Sequence, residues 1–304
     1  MSVIKNVAIA GASGSLGAPV LDVLIKSNKF NVTVLTRADS TSTSQFPSSV
    51  TVLKVDYNSI SSLTSALQNI DAVVSCVSAT ALHCQDLLVD ASIAAGVKRF
   101  LPSEFGSDLG HPRTKALPVF AQKVAMESRL EAAATQNLAF TYTLIRNGPF
   151  LDWGLKYNFL LDLESGNSKI YDGGEHLFSA TTLETIGLAV VAILEKFEET
   201  KNRVIYIQDI QISQNQLLKL AKQVAPEKKW ESVPVDTATI LASSNEKLAK
   251  GEVTMEVMMG YINVSIFGTG YGAKMENTDN ELLGLKEKTD ADLVTLLKKL
   301  IIKQ

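Results

Sequence analysis

β-type runs alternate with helical periodicity through the first half of the chain, and this restricts its fold more than any other feature. "NVAIAG" (6–11) is followed by Leu16, Val20, Val23 and Leu24, an apolar stripe of roughly 3.6-residue period. "VTVLTR" (32–37), "VTVLKVD" (50–56), "DAVVSCV" (71–77), "VKRFLPSEFG" (97–106) and "LAFTYTLIR" (138–146) are further apolar, largely β-branched runs. Helical patterns fall between them in "SLTSALQNI" (62–70), in "QDLLVDASIAAG" and in the segment carrying Lys123. Strands joined by such helices make right-handed crossovers and a parallel sheet covered on both faces, so each strand reads as continuously apolar. The expectation is an α/β fold: a Rossmann-type doubly wound parallel sheet over residues 1–150, with "NRVIYIQ" (202–208) returning as one more strand. Residues 151–304 otherwise predict a smaller α+β substrate-binding or lid domain over the sheet's C-terminal edge. Its helices include one with a capping-box start at Ser213 and Gln216 and a last one in "DADLVTLLKKLI". "STSTSQFPSS" (40–49) reads as a polar surface loop.

Composition narrows the function by exclusion. A formal charge of −3 with no basic cluster gives no footprint for nucleic acid. The densest apolar run, "IGLAVVAIL" (186–194), is too short to cross a bilayer, so no membrane partner is expected. The first strand pattern starts within a few residues of Met1, which predicts no signal peptide and a cytoplasmic protein. Cys76 and Cys84, in an apolar strand and the following helix pattern, are expected to be buried reduced thiols. His83, His111 and His176 are scattered without partners at metal-ligand spacing, so no metal is expected. No G-x-S-x-G elbow is present, and a serine hydrolase is excluded on that ground.

Gly11, Gly14 and Gly17 in "GASGSLG" stand between the first strand and the first helix. Glycines there serve a tight turn, a close backbone approach to pyrophosphate, and close helix–sheet packing. With Ser13, Ser15 and Leu16 they form a candidate dinucleotide cradle on a helix N-terminus, whose free N–H groups and dipole attract phosphate. Arg37 ends the second strand, where an acidic residue would accept the ribose hydroxyl of NAD; a guanidinium suits the 2′-phosphate of NADP instead. Asp39 lies beyond the strand end and carries less weight. Asp56, ending the third strand, is a candidate for the adenine or a plain turn cap. NADPH/NADP is the expected cofactor.

"VFAQK" (119–123) places Lys123 on the helix after the fifth strand, next to a core-facing stripe of Val119, Val124 and Leu130. A half-buried lysine there could hold a nicotinamide ribose and, with its pKa lowered by burial, move a proton; an exposed helix lysine is the other reading. Ser103, Glu104 and Phe105 in "LPSEFG" are candidates for the site floor, or cap the turn. Pro149 and Phe150 of "NGPF" are assigned to the cofactor; Asn147, Phe150, Trp153 and Tyr157 stand on the substrate side. Met258, Met259, Tyr261 and Phe267 in "MEVMMGYINVSIFGTGYG" (255–272) offer either a second wall for a flat apolar ligand or ordinary core.

Taken together, "GASGSLG", "LTR", "VKRFLPSEFG", "VFAQK", "FTYTLIRNGPF" and "EKTDADLVTLLKKLI" resemble the NmrA-like atypical short-chain dehydrogenases. That group includes the isoflavone, pinoresinol–lariciresinol and phenylcoumaran benzylic ether reductases. Short-chain dehydrogenases usually carry a tyrosine four residues before the lysine, and Val119 stands in its place. In these reductases a lysine within V-F-x-x-K is the proposed acid/base group without a tyrosine, so the resemblance gives Lys123 that role. It departs at Glu127 and Ser128, where the group usually has an arginine. The resemblance implies an NADPH-dependent reductase acting on a small, aromatic or enone-type molecule. The alternative is a non-catalytic sensor that binds the dinucleotide and signals to a partner protein; a protein partner enters only under that reading.

Overall fold

The computed structural model describes residues 4–40 and 46–301; of the polar stretch 40–49, residues 41–45 fall outside them. The chain lays down β1 (Asn6–Ala10), β2 (Asn31–Arg37), β3 (Thr51–Val55), β4 (Ala72–Ser75), β5 (Arg99–Leu101) and β6 (Thr141–Arg146). Two short strands follow, β7 (Asn167–Tyr171) and β8 (Phe178–Ala180), before β9 (Arg203–Tyr206) rejoins the sheet. The seven-stranded sheet has the order β3-β2-β1-β4-β5-β6-β9, and every pairing in it is parallel. The order reverses between β1 and β4, and such a switch point is where a doubly wound sheet opens a crevice at its C-terminal edge.

Alternation along β1 sorts the two faces. Val7 and Ile9 pack with the helices Gly17–Ser27 and Leu183–Glu195, while Ala8 and Ala10 pack with Ile60–Ala66, Gln85–Ala94 and Ala121–Gln136. The helix Leu183–Glu195 is buried along most of its length because it lies on both the sheet and the first helix. A Cβ at its Gly187 would stand 2.7 Å from Val23 Cγ2, so glycine is what lets the two helices approach. The sheet layer thus draws on residues after 150 through a covering helix as well as through β9.

Beyond β9 the chain builds the smaller α+β part. β10 (Ile210–Ile212) pairs antiparallel with β8, and β11 (Glu231–Val235) pairs parallel with β7. Ser213 Oγ accepts the Gln216 N–H at 3.2 Å, half of the expected capping box; the Gln216 side chain instead donates to Asp290 at 2.8 Å, joining the helices Gln214–Val224 and Asp290–Ile301. The helix Met255–Phe267 sets Val257, Tyr261 and Val264 against Leu109, Leu117 and Phe120, the segment that leads from β5 to Lys123. The second part of the molecule therefore leans on the first beside the lysine.

Two local expectations are corrected. Cys84 ends a 3₁₀ turn (Ala79–Cys84) and is only partly buried, with Sγ 3.4 Å from His83 Nε2; Cys76 is buried, and burial pushes its thiol up to about 12. Val119 is not on the Lys123 helix but in a 3₁₀ turn, Pro118–Phe120, and the helix begins at Ala121. Its buried face is Met126, Glu127, Leu130 and Ala134, so a carboxylate sits where an apolar stripe was expected.

Candidate active site

The glycine loop is built around the end of β4. Gly11 has φ +77°, and a Cβ there would lie 2.4 Å from the Cys76 carbonyl oxygen. A Cβ on Gly17 would lie 2.1 Å from the Gly11 carbonyl oxygen, so the turn closes only around hydrogen side chains. The Gly14 N–H donates to Gly11 O and the Ala18 N–H to Gly14 O, both at 3.0 Å. Ser13, Gly14 and Ser15 are exposed, whereas Leu16 turns its side chain into the core and can offer a ligand only its backbone. The helix that follows has neither a capping side chain nor an acidic residue in its first turn. The Ala18 and Val20 N–H groups already donate within the turn and Pro19 has none, so the positive dipole and the exposed Ser13–Ser15 stretch are what the loop offers a diphosphate. Gly17→Ala is expected to cost about 1–3 kcal/mol, because the group in the way is backbone. Urea unfolding checks this; an unchanged midpoint would mean that the loop can move aside.

Arg37 and Asp56 stand together at the C-terminal ends of β2 and β3, where the Ala38 N–H donates to Val55 O at 3.0 Å. The Arg37 side chain is 75% exposed and, among the described residues, pairs only with Asp39, at 3.5 Å, so the guanidinium is open to a ligand. Asp56 Oδ1 accepts the Asn58 N–H at 2.9 Å, the turn-capping geometry.

Lys123 reaches from its helix to the turn after β5, where its ammonium donates to the Glu104 carbonyl oxygen. Removal from water is the main cause that lowers its pKa; the Glu104 carboxylate opposes this and Arg146 adds to it. Arg146, at the end of β6, is fully buried between two carboxylates. Its Nη1 meets Glu104 Oε2 at 2.5 Å and its Nη2 pairs with Glu127, four residues after Lys123 on the same helix. Glu104 was expected at the site. Arg146 and the role of Glu127 were missed, although an arginine ending an otherwise apolar strand signals a need for counter-ions.

The other expected residues divide. Asn147 is fully buried; its Nδ2 donates to Gly148 O at 2.7 Å, while its Oδ1 has no partner among the described residues. Pro149 O accepts the Thr181 N–H at 3.2 Å, and Phe150 begins the helix Leu151–Lys156. Trp153 and Tyr157 contact each other with ring centroids 5.0 Å apart, Tyr157 largely exposed. Ser103 is committed to the turn: its hydroxyl donates to Val77 O and its N–H to Gln85 Oε1. Phe105 lies in the core with Ala12, Leu16 and Cys76, behind the glycine loop. Of the second apolar stretch, Tyr261 and Phe267 are core; Phe267 stacks on Tyr171 at 4.6 Å. Met258 packs on the cluster around Phe120, and Met259 lines a cavity of about 430 Å³ with Tyr171 and Asn263.

A glycine loop at the switch point of this strand order, with a half-buried lysine two strands along the same edge, defines a Rossmann-type dinucleotide-binding architecture. The profile of the NmrA-like family matches residues 4–264, and the chain belongs to that family. It is 36% identical over 303 residues to oxidoreductase aprR of Aspergillus flavus, covering 96% of this chain and 99% of that one. To oxidoreductase poxI of Penicillium oxalicum it is 32% identical over 300 residues, covering 94% and 91%. It is 30% identical to the isoflavone reductase homolog IRL of Zea mays over 225 residues, 67% of this chain and 71% of that one. Among solved structures, AtPrR2 with NADP+ and (+)pinoresinol superposes with a TM-score of 0.80 at 23% identity, covering 98% and 99%. A ternary complex of leucoanthocyanidin reductase from Vitis vinifera gives 0.78 at 19%, covering 98% and 100%. At those identities the likeness is one of fold. The chain is thus an NmrA-like protein on the oxidoreductase, isoflavone reductase-like side of the family, as its motifs implied.

Proposed function

We propose that this chain is an NADPH-dependent reductase of the atypical short-chain type, acting on a small aromatic or enone-type substrate. The observation that carries the reading is Lys123: a half-buried lysine whose ammonium reaches the Glu104 carbonyl at the strand edge that also holds the glycine loop, with desolvation lowering its pKa. The similar proteins named oxidoreductase, and the neighbour solved with NADP+, support it. Gly11, Ser13, Gly14, Ser15, Leu16 and Gly17 would hold the diphosphate, Arg37 the 2′-phosphate, Asp56 the adenine side, and Pro149 and Phe150 the nicotinamide side. The bound dinucleotide supplies a hydride to an electron-poor carbon.

Everything else is the chain's own work. As that carbon gains the hydride, its conjugated oxygen or carbon gains negative charge and takes a proton from the Lys123 ammonium, which becomes the amine. Burial makes this proton easier to give up than that of an exposed lysine. Glu104 O holds the ammonium in place. Asn147 Oδ1, buried and unpartnered, suits a hydrogen-bond donor on a bound molecule. Trp153 and the largely exposed Tyr157, their rings tilted by 47°, offer aromatic surface.

The test is loss of reduced-nicotinamide absorbance with purified protein on a panel of enones, quinones and phenolic ethers. Turnover on at least one class is expected. Tight NADPH binding with no turnover on any would favour a sensor that only binds the dinucleotide.

A further inference from the structure

We propose that Glu104, Arg146 and Glu127 form a buried charge clamp that positions the Lys123 ammonium, with Arg146 and Glu127 as positioning residues. This rests on the reading of Lys123 as the proton-moving group. Three elements supply the clamp: the turn after β5, the end of β6 and the helix Ala121–Gln136. Arg146 bridges the two carboxylates, and all three side chains are nearly or wholly out of water. A buried arginine is stable only when its charge is met, and two carboxylates facing each other would repel without it. The same peptide carbonyl that accepts from Lys123 belongs to Glu104, so whatever fixes the Glu104 side chain fixes the lysine's acceptor.

The charges around the lysine are balanced. Lys123 and Arg146 bring two positive charges, Glu104 and Glu127 two negative. Nearby charges are engaged elsewhere: Arg129 with Asp86 and Asp90, and Asp108 as acceptor from the Tyr206 hydroxyl at 3.0 Å, on the β9 side of Arg146. The helix Met255–Phe267 contributes Ser265, 3.1 Å from Ser107, and its one charge, Glu256, pairs with Lys247. Glu127 is therefore the anion that keeps Arg146 from drawing the Glu104 carboxylate wholly to itself. Neutralising it concentrates the guanidinium on Glu104 and leaves Lys123 with less negative charge to hold its proton.

The experiment follows the lysine directly, in the full chain without dinucleotide. Lysine labelled with ¹³C at Cε is titrated by NMR, with the Lys123 signal assigned from its absence in Lys123→Met. Glu127→Gln is expected to lower the midpoint of that titration by about one pH unit, and Glu127→Asp to restore most of it. An unchanged midpoint in folded Glu127→Gln overturns the clamp. If that variant does not fold, Glu104→Gln is read the same way, with the same downward shift expected. Should the NMR midpoint move while the pH profile of turnover stays fixed, the clamp stands and the proton-moving role of Lys123 falls.

Discussion

Lys123→Met is expected to lower turnover by roughly 10²- to 10⁴-fold, the range for loss of a general acid, while leaving NADPH affinity within a few-fold of wild type. The methionine fills the same space, so the loss would be chemical and not steric. The wild-type profile should have an alkaline limb on which activity falls as Lys123 loses its proton, and this limb should lie below the ordinary lysine value of 10.5 because burial lowers the pKa.

Stability should move the opposite way. With the folded-state pKa below the unfolded one, the unfolded chain binds more protons between the two values, and wild-type stability rises with pH across that window. Below it the desolvation cost is carried in full. Lys123→Met removes the cost, so its unfolding midpoint should equal or exceed that of wild type at neutral pH, and the margin should shrink as pH climbs towards 10.5. The lost hydrogen bond to Glu104 O works against this gain, which makes calorimetry at several pH values the sharper measurement. Wild-type turnover in a folded Lys123→Met protein would remove the lysine from the chemistry.

What could be read from the sequence follows from how far apart the interacting residues lie. A parallel strand announces itself locally, since both faces are covered and the run is apolar throughout; β1 to β6 and β9 all coincide with runs visible as such, β2 starting one residue before its run. The glycine loop is likewise contiguous, and its place between a strand and a helix points to the tight turn now seen around Cys76 O. The clamp is a different case. Glu104, Glu127 and Arg146 come from three elements, and their meeting is decided by β5 lying beside β6 and by the rotation of one helix. From the sequence alone, Glu127 showed only that a usual arginine was absent. Residues 255–267 resisted for another reason: that helix is apolar on nearly all sides, packed between the cluster of Leu109 and Phe120 and that of Tyr171 and Phe178. Its pattern therefore gave no face to separate core from pocket.

Arg37→Glu should reverse the cofactor preference, with NADPH affinity falling by about 10- to 100-fold and NADH affinity unchanged or improved. The lower bound follows from a charge-assisted hydrogen bond worth roughly 1.5–3 kcal/mol, at about 1.4 kcal/mol per factor of ten. Repulsion between the new carboxylate and a 2′-phosphate adds to the loss, whereas the same carboxylate can accept from the free ribose hydroxyl of NADH. The wild-type geometry leaves the guanidinium little else to do: it is three-quarters exposed, and its one ion-pair partner among the described residues, Asp39, is equally exposed at 3.5 Å. Such a pair contributes little to stability, so the unfolding midpoint of Arg37→Glu should stay within measurement error of wild type. Because the attraction acts near water, the preference for NADPH should also weaken as salt is raised. Equal losses for the two dinucleotides in fluorescence titrations would mean that Arg37 does not recognise the extra phosphate, and the choice of cofactor would have to be sought elsewhere on the β2–β3 edge.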